Sequence, residues 1–160
     1  MASFGSVLLP TLRYQTTLPL PQPVPSEILP GSPVKPDLSQ ARQLYFQVAS
    51  TFGVAEAQYQ LARMMLSGEG GGANIQQAKK WLNQARKAGH PGAMAVFGNI
   101  LFQEGQSVRG LAFMTAALDR CIAKDCGWME QLQEQAFSVA DEKDRRGAVA
   151  LSHQLADNDD

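Results

Sequence analysis

A chain of 160 residues in which 44% are apolar and 18% charged has the material for one domain around a continuous core. Its formal charge of −1 provides no basic face for nucleic acid, and no apolar run approaches the roughly 20 residues needed to cross a bilayer. Gly5 to Leu12 is short, broken by Pro10 and preceded by no Lys or Arg, so it does not read as an export signal.

Eight of the nine prolines lie at or before Pro36. In Leu18 to Pro25 they alternate with other residues, removing backbone donors and fixing φ, which predicts an extended, polyproline-like path. Residues 1–36 therefore read as a proline-rich, mostly irregular arm, residues 37–156 as a helical domain and residues 157–160 as an acidic tail. Within the arm, Val7 to Tyr14 is apolar enough for a helical turn or two that would pack on the first helix of the domain.

Beyond Pro36 the composition shifts to Ala, Leu, Gln, Met and Lys, which favour helix. Asp37 three residues before Gln40 and Asn74 three before Gln77 have the capping-box arrangement and each open a helix. The first runs from about Leu38 to Phe52 and stops at Gly53. A second, Ala55 to Ser67, follows from Ala57, Leu61, Met64, Met65 and Gly68 at helical spacing. The third runs from Ile75 to Ala88 and stops at Gly89, glycine being the residue that most easily takes a left-handed C′ conformation. Pro91 suits the first turn of a fourth helix over Gly92 to Gln103. Ser107 is expected to cap a fifth, reaching about Ala123, and Trp128 to Ala140 and Asp141 to Ala156 read as two more.

These helices repeat. Gly53 lies 36 positions before Gly89. At that offset Ala57 falls on Ala93, Leu61 on Phe97, Ala62 on Gly98, Met65 on Leu101, Tyr45 on Trp81, Phe46 on Leu82 and Ala49 on Ala85. A period of this size marks a solenoid of helix pairs, each too small to bury its apolar face alone. The expected fold class is all-α: antiparallel pairs in a right-handed superhelix, with Ala57, Leu61, Trp81, Leu82, Ala85, Phe97 and Leu101 buried. With about two clear repeats, the first helix should expose an apolar strip through Leu44, Tyr45 and Val48. The arm from Val7 to Leu29 or a further N-terminal repeat would cover it.

Ala57, Tyr59, Leu61, Ala62 and Gly68, a glycine-rich turn, and then Ala78, Trp81, Leu82, Ala85, Gly89, Ala93, Phe97 and Gly98 resemble the SEL-type repeat, a relative of the tetratricopeptide repeat. More narrowly, Ala41 to Phe46, Ala55 to Arg63, Gly70 to Gly72, Arg109 to Leu111 and Trp128 to Phe137 resemble the C-terminal part of the exopolysaccharide production negative regulator family (ExoR) of rhizobia. That likeness covers about residues 36–156. It implies a periplasmic, non-catalytic repeat protein that binds the periplasmic domain of a sensor histidine kinase and restrains it, repressing exopolysaccharide synthesis and permitting motility. Members of that family are longer at the N-terminus, with an export signal and further helix pairs. A general adaptor of the same repeat class, in envelope or signalling complexes, is the alternative.

The residues themselves point to no catalytic, cofactor or metal site. Gly68 to Gly72 lacks the preceding strand and following Lys-Ser/Thr of a phosphate loop and reads as a turn between repeat helices. His90 and His153 lie far apart, with no carboxylate or cysteine at metal-ligand spacing, and read as surface or capping residues. Cys121 and Cys126 are spaced too widely for a redox dithiol. They would close a small disulfide in an oxidising compartment and stay reduced in the cytoplasm. Tyr45, Trp81 and Phe113 read as core knobs, and Lys79, Lys80, Arg86 and Lys87 as a solvated face. The expected partner is a protein, with no nucleic acid, membrane insertion or small-molecule substrate. Gln58, Gln60, Arg63 and Asn99, taken as exposed residues of the small-residue helices, are the candidate contacts.

Overall fold

A computed structural model of the chain describes residues 35–122, 124 and 126–157. The expectations for the arm before Lys35 and for the last residues of the acidic tail lie outside them. Seven helices follow one another among the described residues: α1 Leu38–Phe52, α2 Ala55–Ser67, α3 Ile75–Lys87, α4 Pro91–Gln103, α5 Ser107–Asp119, α6 Gly127–Val139 and α7 Glu142–Asp157. No strand interrupts them.

The helix ends follow local chemistry. The Asp37 carboxylate accepts from the Gln40 N–H, and the Asn74 side chain from the Gln77 N–H, each at 3.0 Å, so two otherwise orphaned donors are satisfied. Gly53 and Gly89 take φ of 63° and 85°, the left-handed conformation that stops α1 and reverses the chain after α3. Ser107 is not a cap. It is the first residue of α5, Gln106 stands before it without a side-chain capping bond, and α5 ends at Asp119 rather than Ala123. Cys121 and Cys126 are joined as a disulfide across the link to α6, their Cα atoms 6.2 Å apart.

Consecutive helices pack in chain order from α1 to α5, and the repeat positions carry the core. Leu61, Ala62, Ala78, Leu82, Ala85, Ala93 and Ala95 are fully buried, with Ala57, Phe97 and Leu101 nearly so. Small residues let the backbones approach. A Cβ on Gly98 would lie 2.7 Å from the Gly110 carbonyl oxygen, and one on Gly110 would lie 2.6 Å from both the Gly98 oxygen and the Phe102 nitrogen. The α4–α5 crossing therefore depends on two glycines facing each other. The Gly68 to Gly72 turn is held from α1, where the Arg42 guanidinium donates to the Gly72 and Glu69 carbonyls at 3.1 to 3.3 Å.

Three expectations for individual side chains are corrected here. Trp81 is only half-buried: it meets Phe46 edge-to-face at 5.9 Å, and no described helix beyond α1 covers its outer side. Tyr45 is 37% exposed for the same reason, whereas Phe113, seated on Phe97 between α4 and α5, is buried. Arg86 is not part of a solvated face. Its guanidinium lies 5.1 Å from the Phe97 ring and 4.7 Å from the Phe113 ring, an electrostatic and packing tie across three helices, while Lys79 pairs with Glu104 at 2.7 Å. The last two helices do not form a hairpin with each other. The chain leaves α6 through extended Ala140, and α7 packs mainly along α5, where Gly147 faces Val108 and Ala148 is fully buried. The expected apolar strip on α1 is present, with Leu44 at 57% exposure, Tyr45 exposed and Val48 half-buried.

Candidate protein-binding groove

Residues three and seven positions apart share a helix face. On α2 that relation joins Gln60, Arg63 and Ser67, on α4 Val96, Asn99 and Gln103, and on α6 Leu132, Gln135 and Val139. The first row and Val96 line one depression together with Met64, Leu66 and Glu69. Asn99 and Gln103 line a second with Phe102 and the α6 row. Because Val96 and Asn99 are one turn apart on α4, the two depressions adjoin along a face of three helices.

Three of the four candidate contacts lie on this face: Gln60 and Arg63 in the first depression, Asn99 in the second. Gln58 does not. It is only 6% exposed, and its Nε2 donates to Gln84 Oε1 on α3 at 3.3 Å. Two residues before Gln60 is about 200° around a helix, so a side chain there points at the neighbouring repeat helix. Sequence reasoning missed Gln103, Leu132, Gln135 and Val139. Gln103 was within reach, one turn beyond Asn99, but α6 repeats no earlier segment and gave no offset from which to read its outward face.

The α2 row is positioned by a polar cluster at the turn before α4. His90 caps α4: its Nδ1 accepts from the Ala93 N–H at 3.1 Å, which leaves Nε2 as the donor to Glu56 Oε2 at 2.7 Å. Gln60 donates to the other Glu56 oxygen at 2.7 Å. The Tyr59 ring lies on His90 with centroids 4.5 Å apart and carries the Arg63 guanidinium 5.8 Å from its own centroid. The hydrogen bond from His90, then that from Gln60, holds the Glu56 carboxyl below its ordinary range, against a smaller opposing effect of burial. Burial pushes the Tyr59 phenol up.

Glu56 thus stabilises the fold most above the ordinary carboxylate range, and the contribution is lost as pH falls through its lowered value. Glu56→Gln is expected to reduce the melting temperature measurably at pH 7, and the gap from the parent protein should narrow as the pH falls below the ordinary carboxylate range. Thermal melts across that range check it; a gap that widens in acid would contradict the assignment.

Chemically, the face offers amides, one guanidinium, one carboxylate and exposed aliphatic groups. Among the described residues, no three His, Cys, Asp or Glu side chains come together to hold a metal ion. Such a surface suits binding.

Helix pairs stacked through small residues define a helical-repeat protein, and residues 27–50 and 55–90 match the Sel1 repeat. Over 130 residues the chain is 80% identical to an exopolysaccharide production negative regulator of Rhizobium leguminosarum bv. viciae, covering 81% of this chain and 49% of the relative. Over 133 residues it is 68% identical to the protein of the same description in Rhizobium meliloti (strain 1021), covering 82% and 50%. The chain is thus similar to these regulators and matches the Sel1 repeat over part of its length, and it spans about half the length of the curated relatives it matches.

Proposed function

We propose that this chain acts in negative regulation of exopolysaccharide production by stoichiometric binding of a protein partner along the α2, α4 and α6 face, and that the partner is the periplasmic domain of a sensor histidine kinase. The observation that carries the binding reading is the arrangement of Gln60, Arg63 and Asn99 with Gln103, Gln135 and Val139 on one continuous face. The identity of the relatives supports the regulatory part. The Cys121–Cys126 disulfide supports an oxidising compartment, and no helix among the described residues is long and apolar enough to cross a membrane.

Binding and not turnover is the mechanism this surface supports. Interface energy concentrates in a few Arg or aromatic anchors ringed by apolar contacts, and Arg63 and Val139 stand at opposite ends of the face. Deleting the gene should raise exopolysaccharide output and reduce swimming, with both restored by the parent protein. The Arg63→Glu, Val139→Asp double variant should accumulate normally, fail to restore either trait and capture no kinase. Full restoration by that variant would overturn the face as the working surface. Capture of other envelope proteins without a kinase would favour the general adaptor reading.

A further inference from the structure

We propose that the outer side of α1 is a docking groove for one amphipathic helix of a separate polypeptide, seated there as α2 is seated on α3; this does not depend on the role given to the α2, α4 and α6 face. Ala41, Leu44, Tyr45 and Val48 share one face of α1 at helical spacing. With Val54 and Glu56 at the start of α2 they line a depression of about 420 Å³. Leu44, Tyr45 and Val54 are all exposed in it.

The repeat itself provides the template for what such a groove holds. Of the described helices, the Sel1 match over residues 27–50 takes in α1 alone, while that over residues 55–90 takes in both α2 and α3. At the offset of 36 positions, Val48 corresponds to Gln84, Val54 to His90 and Glu56 to Gly92. All three inner counterparts are covered by α2. Gln58 donates to Gln84 at 3.3 Å, the Tyr59 ring lies on His90 with centroids 4.5 Å apart, and a Cβ on Gly92 would stand 3.0 Å from the Tyr59 ring. The same step back from α2 falls on residues 19–31, which hold Pro19, Pro21, Pro23, Pro25 and Pro30. A helix interior does not accommodate such a series, so that stretch does not supply the helix.

The chemistry of the guest follows from how the two grooves differ. The polar seats Gln84 and His90 become Val48 and Val54, where a helix carrying Gln and Tyr as α2 does would bury an unpaired amide. The fitting helix therefore has two adjacent apolar side chains at those positions. Gly92 becomes Glu56, whose side chain is 60% exposed at the rim and selects a Lys or Arg on the guest. Recognition of this kind runs through anchors spaced one turn apart on an amphipathic helix.

A fluorescent, hydrocarbon-stapled peptide with the sequence of α2 and the changes Gln58→Leu and Tyr59→Leu is the probe, titrated with the full chain and read by anisotropy. On the outer groove its leucines meet Val48 and Val54; in the place of α2 they would leave Gln84 and His90 without partners, which disfavours exchange. Saturable binding is expected, about tenfold weaker for a peptide of the unchanged α2 sequence. The Leu44→Glu, Val54→Glu double variant of the chain should weaken the leucine probe by at least about tenfold, and Val139→Asp should leave it unchanged. Both substituted residues are exposed, so folding is preserved, and an unchanged melting temperature checks this. No saturable binding, binding indifferent to the double variant, or binding abolished by Val139→Asp would each overturn the proposal. So would light scattering that finds the chain dimeric and the double variant monomeric, since a second copy would then be the occupant.

Discussion

Leu82→Ala is expected to destabilise the folded domain by about 3 to 4 kcal/mol and to lower its melting temperature by roughly 12–15 °C. Leu82 is fully buried in the cluster that also holds Leu61, Ala85, Ala93 and Phe97. Truncation removes the transfer energy of the deleted methyl groups and leaves a cavity that surrounding alanines are too short to fill. Denaturant melts of the full chain measure the effect. A loss below about 0.5 kcal/mol, the range of surface changes, would mean that α3 does not sit on α2 as described.

A second large effect is expected at Gly110, where two opposing contributions can be compared. Alanine in a helix interior is favoured over glycine by about 1 kcal/mol. Here the added methyl would meet the Gly98 oxygen and the Phe102 nitrogen at 2.6 Å. Both obstacles are backbone, so relief requires α4 and α5 to move apart, and overpacking of that kind costs about 3 kcal/mol. The net expectation is a loss of about 2 kcal/mol and a drop of roughly 8 °C. Gly72→Ala provides the contrast: a Cβ there meets nothing within 4 Å, and the change should stay within about 0.5 kcal/mol. If Gly110→Ala proved stabilising, the close crossing would be wrong.

The regular part of this fold was legible because two physical signals coincided. Caps at Asp37 and Asn74 and left-handed glycines at Gly53 and Gly89 gave the helix ends, and the 36-residue offset paired the buried positions of α2 with those of α4. Legibility failed where neighbours decide. Trp81 and Tyr45 have the residue type of core knobs, but burial needs a helix on both sides, and only α1 lies outside Trp81 among the described residues. Arg86 looked like one charge in a basic run, and only the placement of Phe97 and Phe113 reveals that its guanidinium is seated on rings. The return of α7 onto α5 was hidden for a similar reason, since Gly147 reads as a weak point in a helix until Val108 is seen opposite it.

The proposed binding face was half legible. Gln60, Arg63 and Asn99 were identified as polar residues on repeat helices, which was enough for their type and not for their direction. Gln58 shows the limit: the same residue type two positions away turns inward to Gln84. The α6 row had no repeat partner from which its direction could be inferred, and its contribution emerged only when Leu132, Gln135 and Val139 were found beside Asn99 and Gln103.

The central claim is that the α2, α4 and α6 face is where the partner sits, and site-specific photo-crosslinking in the native host tests it most directly. A benzophenone side chain placed singly at Gln103, at Val139 and, as a control on α3, at Lys80 reports which surface the partner touches. The account predicts one shared crosslinked product from Gln103 and Val139 and none from Lys80. Crosslinking from Lys80 with none from the other two would contradict it.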